Sequence, residues 1–186
     1  VMERMGIDYI DNEVDVGIRL ETTIDNYPIV KDYYDPKFLF PERVRTFCTN
    51  SGHARVVLER YQGFSLVNGH ALSEEHEGNN LVNFALLKTI GLKDPVRSGQ
   101  QMAVFLGRLA NEIGGGKPLM QRVGDFRMEK RSTAETFNED LYSFPPSCPV
   151  TAGDLGLAVP AKIMRHIWAA MKKLDTIIPG ILHPST

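Results

Sequence analysis

The chain has only two cysteines in 186 residues, Cys48 and Cys148, a hundred positions apart. They make neither a disulfide framework nor a CxxC redox pair, so a reducing cytoplasm is the natural setting. Long apolar runs are missing too. The longest, Asn83 to Leu87 and Leu155 to Pro160, fall far short of the roughly 20 residues that span a bilayer. The amino end, "VMERMGIDYIDNEVD", has no cleavable signal pattern. An excess of one charge is absent as well: 21 basic residues face 23 acidic ones, with no single-sign block. This argues against a nucleic-acid or membrane partner and leaves small or apolar molecules as the better fit.

Several chemical signatures are also lacking. No G-x-G-x-x-G follows a strand, so the chain carries no dinucleotide fingerprint of its own. The "GGGK" at residues 114 to 117 follows a helical pattern and runs into Pro118, whereas a phosphate loop needs a strand before it and Lys-Ser/Thr at a helix start. Cys48, His53, His70 and His76 are close in sequence but lack the paired, short-spaced ligands of a structural zinc site, so no metal is expected. A cysteine hydrolase would need an imidazole such as His70 brought against Cys48, which spacing cannot show. A small, half-buried strand residue is the plainer reading of Cys48.

What is present is mostly β in the first half. In "EVDVGIRLETT", Val14, Val16, Ile18 and Leu20 alternate with Asp15, Gly17, Arg19 and Glu21, the pattern of a strand with one wet face. "YDPKFLF" reads as a shorter extended run. "ERVRTFCT" places Val44, Thr46 and Cys48 on one side and Arg45, Phe47 and Thr49 on the other. "ARVVLERYQGFSLVNG" reads as a hairpin turning at Gln62-Gly63, giving a meander. In "VNGH", Asn68-Gly69 supply turn chemistry and His70 follows as a partly wet imidazole. "LVNFALLKTIG" is apolar on both faces, as for a strand covered on two sides or at a barrel corner.

The period changes at Asp94-Pro95, an N-cap followed by proline at the first helical position. Met102, Phe105, Leu106, Leu109 and Ile113 then recur at helical spacing up to Gly114-Gly115-Gly116. A final helix opens at Pro160, carries Ile163, Ile167, Trp168, Met171, Leu174 and Ile178 on one stripe, and ends at Pro179-Gly180. "FPPSCPV" can only be loop, because its three prolines remove three backbone donors. The segment "QRVGDFRMEKRST" gathers Arg122, Arg127, Lys130 and Arg131 around Asp125, either a small anion site or a surface face with an internal ion pair. These patterns predict an α+β fold: an antiparallel, barrel-like sheet in a mostly β part over residues 1–93, and a helical part over 94–186.

In this order and spacing, "VGIRLE", "YDPKF", "VRTFCTN", "VVLERYQG", "VNGH", "NFALL", "LANEIGGG", "QRVGD", "AGDLGLAVP" and "LDTIIPG" resemble the middle region of the uncharacterised FAD-dependent, or NAD(FAD)-utilising, dehydrogenases. The chain departs from that pattern at Leu81-Val82, where the family has Asn-Thr, and at Met128-Glu129, where it often has Gly-Arg. The resemblance implies that the chain is the cap inserted into an FAD-binding domain of the same polypeptide, a segment cut from a longer protein that is not active alone. Its cofactor would be FAD, shared with that domain, and its partner a small-molecule substrate. By the same resemblance, Arg45, Cys48 and His70 would serve the chemistry, with Arg45 and His70 handling charge or protons. Thr46, Phe47, Asn68, Gly69 and Asn83 would line the flavin-facing pocket, and Arg122 and Asp125 would brace the helical part. A stand-alone small-molecule binding module and a cysteine-dependent hydrolase are the alternatives.

Overall fold

The alternating run beginning at Val14 forms strand β1 (Val14–Thr23), and the run that is apolar on both faces forms β6 (Leu81–Ile90). The computed structural model describes residues 2–61, 63–73, 77–93, 97–139 and 146–186. In it, β1 and β6 pair antiparallel along their full length, from Val14 opposite Ile90 to Thr23 opposite Leu81. Strand β3 (Val44–Ser51) lies on the other side of β6, and the two-residue β2 (Leu39–Phe40) flanks β3. The sheet order is therefore β1-β6-β3-β2. Among the described residues, strands β4 (Ala54–Tyr61) and β5 (Phe64–Ala71) pair only with each other.

The α+β class and the antiparallel sheet are as the sequence predicts, with two differences in architecture. The order is not a meander, because the last strand, β6, takes the central place between β1 and β3. Nor does the sheet close into a barrel: among the described residues β1 and β2 are its edges, and the β4–β5 ribbon leaves the sheet after β3 instead of continuing it. Local alternation marks each strand but does not fix which strand is its neighbour.

Helix α1 (Gly99–Ile113) starts with Ser98, whose hydroxyl accepts from the Gln101 N–H, and stops at Gly114 to Gly116, with Gly115 and Gly116 at φ of 61° and 82°. The Asp94-Pro95 start predicted for it lies outside the described residues. Strands β7 (Leu119–Met120) and β8 (Thr151–Ala152) form a short parallel pair. Two short helices, α2 (Val123–Arg127) and α3 (Ala134–Glu139), lie between them. Helix α4 (Ala161–Ile177) follows Pro160, and the chain turns at Gly180 with φ of 125°.

Helix α4 buries Ile163, Ile167, Met171 and Leu174 in one core with Leu20, Val82, Phe84 and Leu86 of the sheet. Tyr27 stacks on Phe84 with ring centroids 4.6 Å apart. Each of these large side chains contributes about 1.5–3 kcal/mol by leaving water. The sequence divides into a β half and a helical half, yet this core draws on both.

The opposite sheet face is covered as well. Gly69 of β5 sits against Asn83 and Arg19, and Gly107 of α1 sits against Phe64 and Leu66 of the ribbon. Ribbon and α1 thus make a third layer over Gly17, Arg19, Asn83 and Ala85. The face of β1 that the alternation assigns to water is therefore largely dry, and Glu21 is only 8% exposed.

Candidate functional site

The site begins with an irregularity in β3. Phe47 pairs with Ala85 and Asn50 with Asn83, so Cys48 and Thr49 together face the single residue Phe84. Cys48 takes up this bulge at φ of 52°, a left-handed conformation that costs a β-carbon-bearing residue energy and is usually filled by glycine. The bulge overturns the predicted facing of Cys48 beside Val44 and Thr46. Its Sγ instead lies 3.7 Å from the Gly69 carbonyl and 3.6 Å from the Asn50 amide, across the sheet from α4.

The displaced Cys48 carbonyl accepts from Arg19 Nη1 at 3.1 Å and from Asn50 Nδ2 at 3.0 Å. Arg19 Nη1 also donates to Asn83 Oδ1 at 2.7 Å, and Nη2 donates to Asn68 Oδ1 at 3.3 Å. Asn68 in turn donates to Glu59 Oε1 at 2.6 Å. Three neutral oxygens therefore hold a half-buried guanidinium, and among the described residues no carboxylate lies within ion-pair distance of it. Burial depresses the Arg19 pKa, and the Cys48 side chain and Glu59 offset that only in part. Asn83 is fully buried, and its Nδ2 is a donor with no partner among the described residues.

Gly69 is what lets the ribbon close over this cluster. A β-carbon there would lie 2.2 Å from Asn83 Oδ1 and 2.3 Å from Arg19 Nη1. The "VNGH" turn is not formed: β5 runs through to Ala71, with Asn68 opposite Val57 and Gly69 opposite Val56. The Asn-Gly pair serves close approach between layers rather than chain reversal.

Of the residues predicted for the site, Cys48, Asn68, Gly69 and Asn83 meet around Arg19. Thr46 does not join them; it is buried on the α4 side, where its hydroxyl accepts from the Phe38 N–H at 2.8 Å. Arg45 and Phe47 form a neighbouring exposed group. The Arg45 guanidinium lies 4.9 Å from the Phe47 ring centroid and pairs with Asp15 at 2.7 Å, and Lys37 lies 5.4 Å from the same ring. His70 is exposed, opposite Arg55 on the ribbon. Arg122 and Asp125 are buried away from this cluster: the Arg122 N–H donates to Ser132 Oγ, which donates to Asp125 Oδ2 at 2.6 Å.

Arg19, Asn50 and Glu21 were missed because each is isolated in the sequence. One signal could have found Arg19. A strand apolar on both faces must have neighbours covered on both faces, so any charge on the inner face of its partner is desolvated.

Two adjoining cavities open beside the cluster, of about 220 and 300 Å³. They share Gly17, Arg19, Leu66, Val67, Ala110 and Val159, and the smaller extends around β1 to Trp168 and Met171 of α4. Glu21 lines the smaller one. Ser147 donates to it twice, from Oγ to Oε1 and from N–H to Oε2 at 3.3 Å. Burial pushes the Glu21 carboxyl above the usual range, and the Ser147 bonds pull it back only in part. Cys148, next in the chain, has its thiol raised by burial and then by the Glu21 charge.

A carboxyl raised on folding stabilises the fold most when protonated, below its unfolded value near about pH 4, and that contribution is lost as pH rises through the folded value. Glu21→Gln should therefore flatten this loss. In urea titrations the variant should match the wild type in acid and exceed it at neutral pH, whereas a lower midpoint at both would show that Ser147 needs the carboxylate.

Among the described residues neither sulfur has a hydrogen bond to an imidazole, and no three His, Cys, Asp or Glu side chains gather as metal ligands. No helix among them is long and apolar enough to cross a membrane. No protein-family model matches the chain, and no curated protein sequence matches it.

Proposed function

We propose that this chain is the substrate-side cap of a flavin-dependent oxidoreductase of the dehydrogenase type, closing over an FAD held by a nucleotide-binding domain of the same polypeptide. The observation that carries the reading is the Arg19 cluster: a desolvated cation held, among the described residues, by neutral oxygens, and backed by a left-handed Cys48. Such strain in a sheet interior is a mark of a working site rather than of a packing position.

The donor set fits a flavin. Arg19 and the Asn83 amide, which has no partner among the described residues, offer positive charge and an N–H group, which suits a group that accumulates negative charge when reduced; Arg45 and Lys37 over Phe47 are already paired with Asp15 and Asp35. When bound, FAD would supply the acceptor for a hydride or electron pair from a small molecule. The chain's share is positional. Phe47, with Arg45 and Lys37, would present the exposed contact surface; Arg19 would place positive charge behind it; and the Gly69 closure would exclude water.

The test uses the full polypeptide containing this segment. Arg19→Gln should slow flavin reduction by about 10²-fold or more, the size expected for loss of one preorganised electrostatic contact. Arg45→Gln and His70→Gln should have smaller effects. Unchanged rates for all three, or tight FAD binding by this chain alone, would remove the cap reading. A second reading, a stand-alone small-molecule module, is favoured by the two cavities that lie wholly within the chain.

A further inference from the structure

We infer that the paired cavities form a binding site for a small apolar monocarboxylate, with its carboxylate on Arg19 and its apolar body against α1 and α4. The inference shares Arg19 with the proposed function but needs no flavin, so each can fail separately.

Donor count gives the head-group chemistry. A guanidinium has five N–H groups in a fixed plane. Two on Nη1 go to the Cys48 and Asn83 oxygens and one on Nη2 goes to Asn68. Among the described residues, what remains is the Nε–H and one Nη2–H, on the two nitrogens that together form the fork matching a carboxylate. Arg19 lines both cavities, so this edge is in reach of whatever fills them. The nearby acids do not take it. Glu59 is bonded to Asn68 and Tyr61, and Glu21 to Ser147. Lys117 adds a second cation to the smaller cavity.

Cavity chemistry gives the tail. The walls are mostly Leu66, Val67, Ala110, Val159, Trp168 and Met171. The smaller cavity, about 220 Å³, exceeds the engineered apolar cavity of about 150 Å³ that stays dry and takes benzene. A phenyl or medium-chain alkyl group therefore fits, whereas a sugar or nucleotide would leave its hydroxyl groups unpaired.

Trp168 is the only tryptophan in the chain and lines the smaller cavity, so its fluorescence reports occupancy directly. The intact chain is titrated with decanoate and phenylacetate, and with decanol as the uncharged control. Saturable changes are expected for the carboxylates, with decanol weaker by about 10- to 100-fold, the range of a hydrogen-bonded charge. Arg19→Gln should abolish that preference while leaving decanol unchanged. Ala110→Phe, which fills the shared wall and keeps the charge, should weaken all three ligands, provided its circular dichroism matches the wild type. Equal binding of decanol and decanoate, full decanoate affinity in Arg19→Gln, or no saturation at millimolar ligand would overturn the assignment. Preference for phenylacetate over decanoate, or the reverse, sets the tail class within it.

Discussion

Gly17→Ala is expected to lower stability by about 3 kcal/mol or more, a shift of about 1–3 M in the urea midpoint. The reason is the closeness of two backbones. A β-carbon at residue 17 would lie 1.8 Å from the Leu86 carbonyl oxygen and 2.9 Å from the Leu87 Cα. These are ladder atoms of the central strand, so no side-chain rotation relieves the contact. Either β1 separates from β6 locally, breaking hydrogen bonds that continue from Val14 to Thr23, or both strands shift. Each response also reaches the site, because Gly17 lines both cavities and Arg19 lies two residues further along the same strand. Gly69→Ala supplies the contrast. Its β-carbon would meet side-chain ends, Asn83 Oδ1 and Arg19 Nη1, which can turn away. The fold should survive in that variant while the cluster is dispersed. A Gly17→Ala protein with a wild-type midpoint would mean that the β1–β6 approach is looser than described.

Much of the element order was legible because it is written in local periodicity. Val14 to Leu20 alternate and form β1, residues 54–61 and 64–71 form the paired strands β4 and β5 while Gln62 of the predicted turn lies outside the described residues, and the stripe from Ile163 to Leu174 forms α4. What was not legible depends on pairing at a distance. Nothing between Val14 and Ile90 announces that β6 rather than β3 will lie against β1, since both are apolar enough. That one unknown hid the third layer, and with it the burial of Arg19 and Glu21. Cys48 was misplaced for a different reason. A bulge adds one residue to the count, and a single inserted residue turns the next side chain to the other face without changing composition. Asn68 and Gly69 show the ambiguity of turn residues, because the lack of a side chain that permits a turn also permits close contact between layers. The resemblance grouped His70 and Thr46 with the pocket; in the fold Thr46 is buried on the α4 side and His70 is exposed, so neither joins the Arg19 cluster.

That alternation makes a sharp test of the architecture at two consecutive residues of β6. Phe84→Ala should cost about 3–5 kcal/mol, because a fully buried ring stacked on Tyr27 and packed in the α4 core leaves a cavity that cannot collapse. For a chain of this size that is a fall of about 6–20 °C in Tm. Asn83→Ala, one position earlier, loses the acceptor for Arg19 and Asn50 but also removes a buried donor that has no partner. The loss of a charged hydrogen bond, about 1.5–3 kcal/mol, and relief of an unsatisfied group, about 1–3 kcal/mol, nearly cancel. Its Tm should therefore move little, while carboxylate binding and flavin reduction both suffer because Arg19 loses one of its three supports. Thermal melts of the two variants, read beside ligand titrations, should give opposite profiles: Phe84→Ala unstable with the Arg19 cluster still assembled at low temperature, Asn83→Ala stable with the cluster impaired. Equal thermal losses would contradict the placement of core and site on opposite faces of one strand.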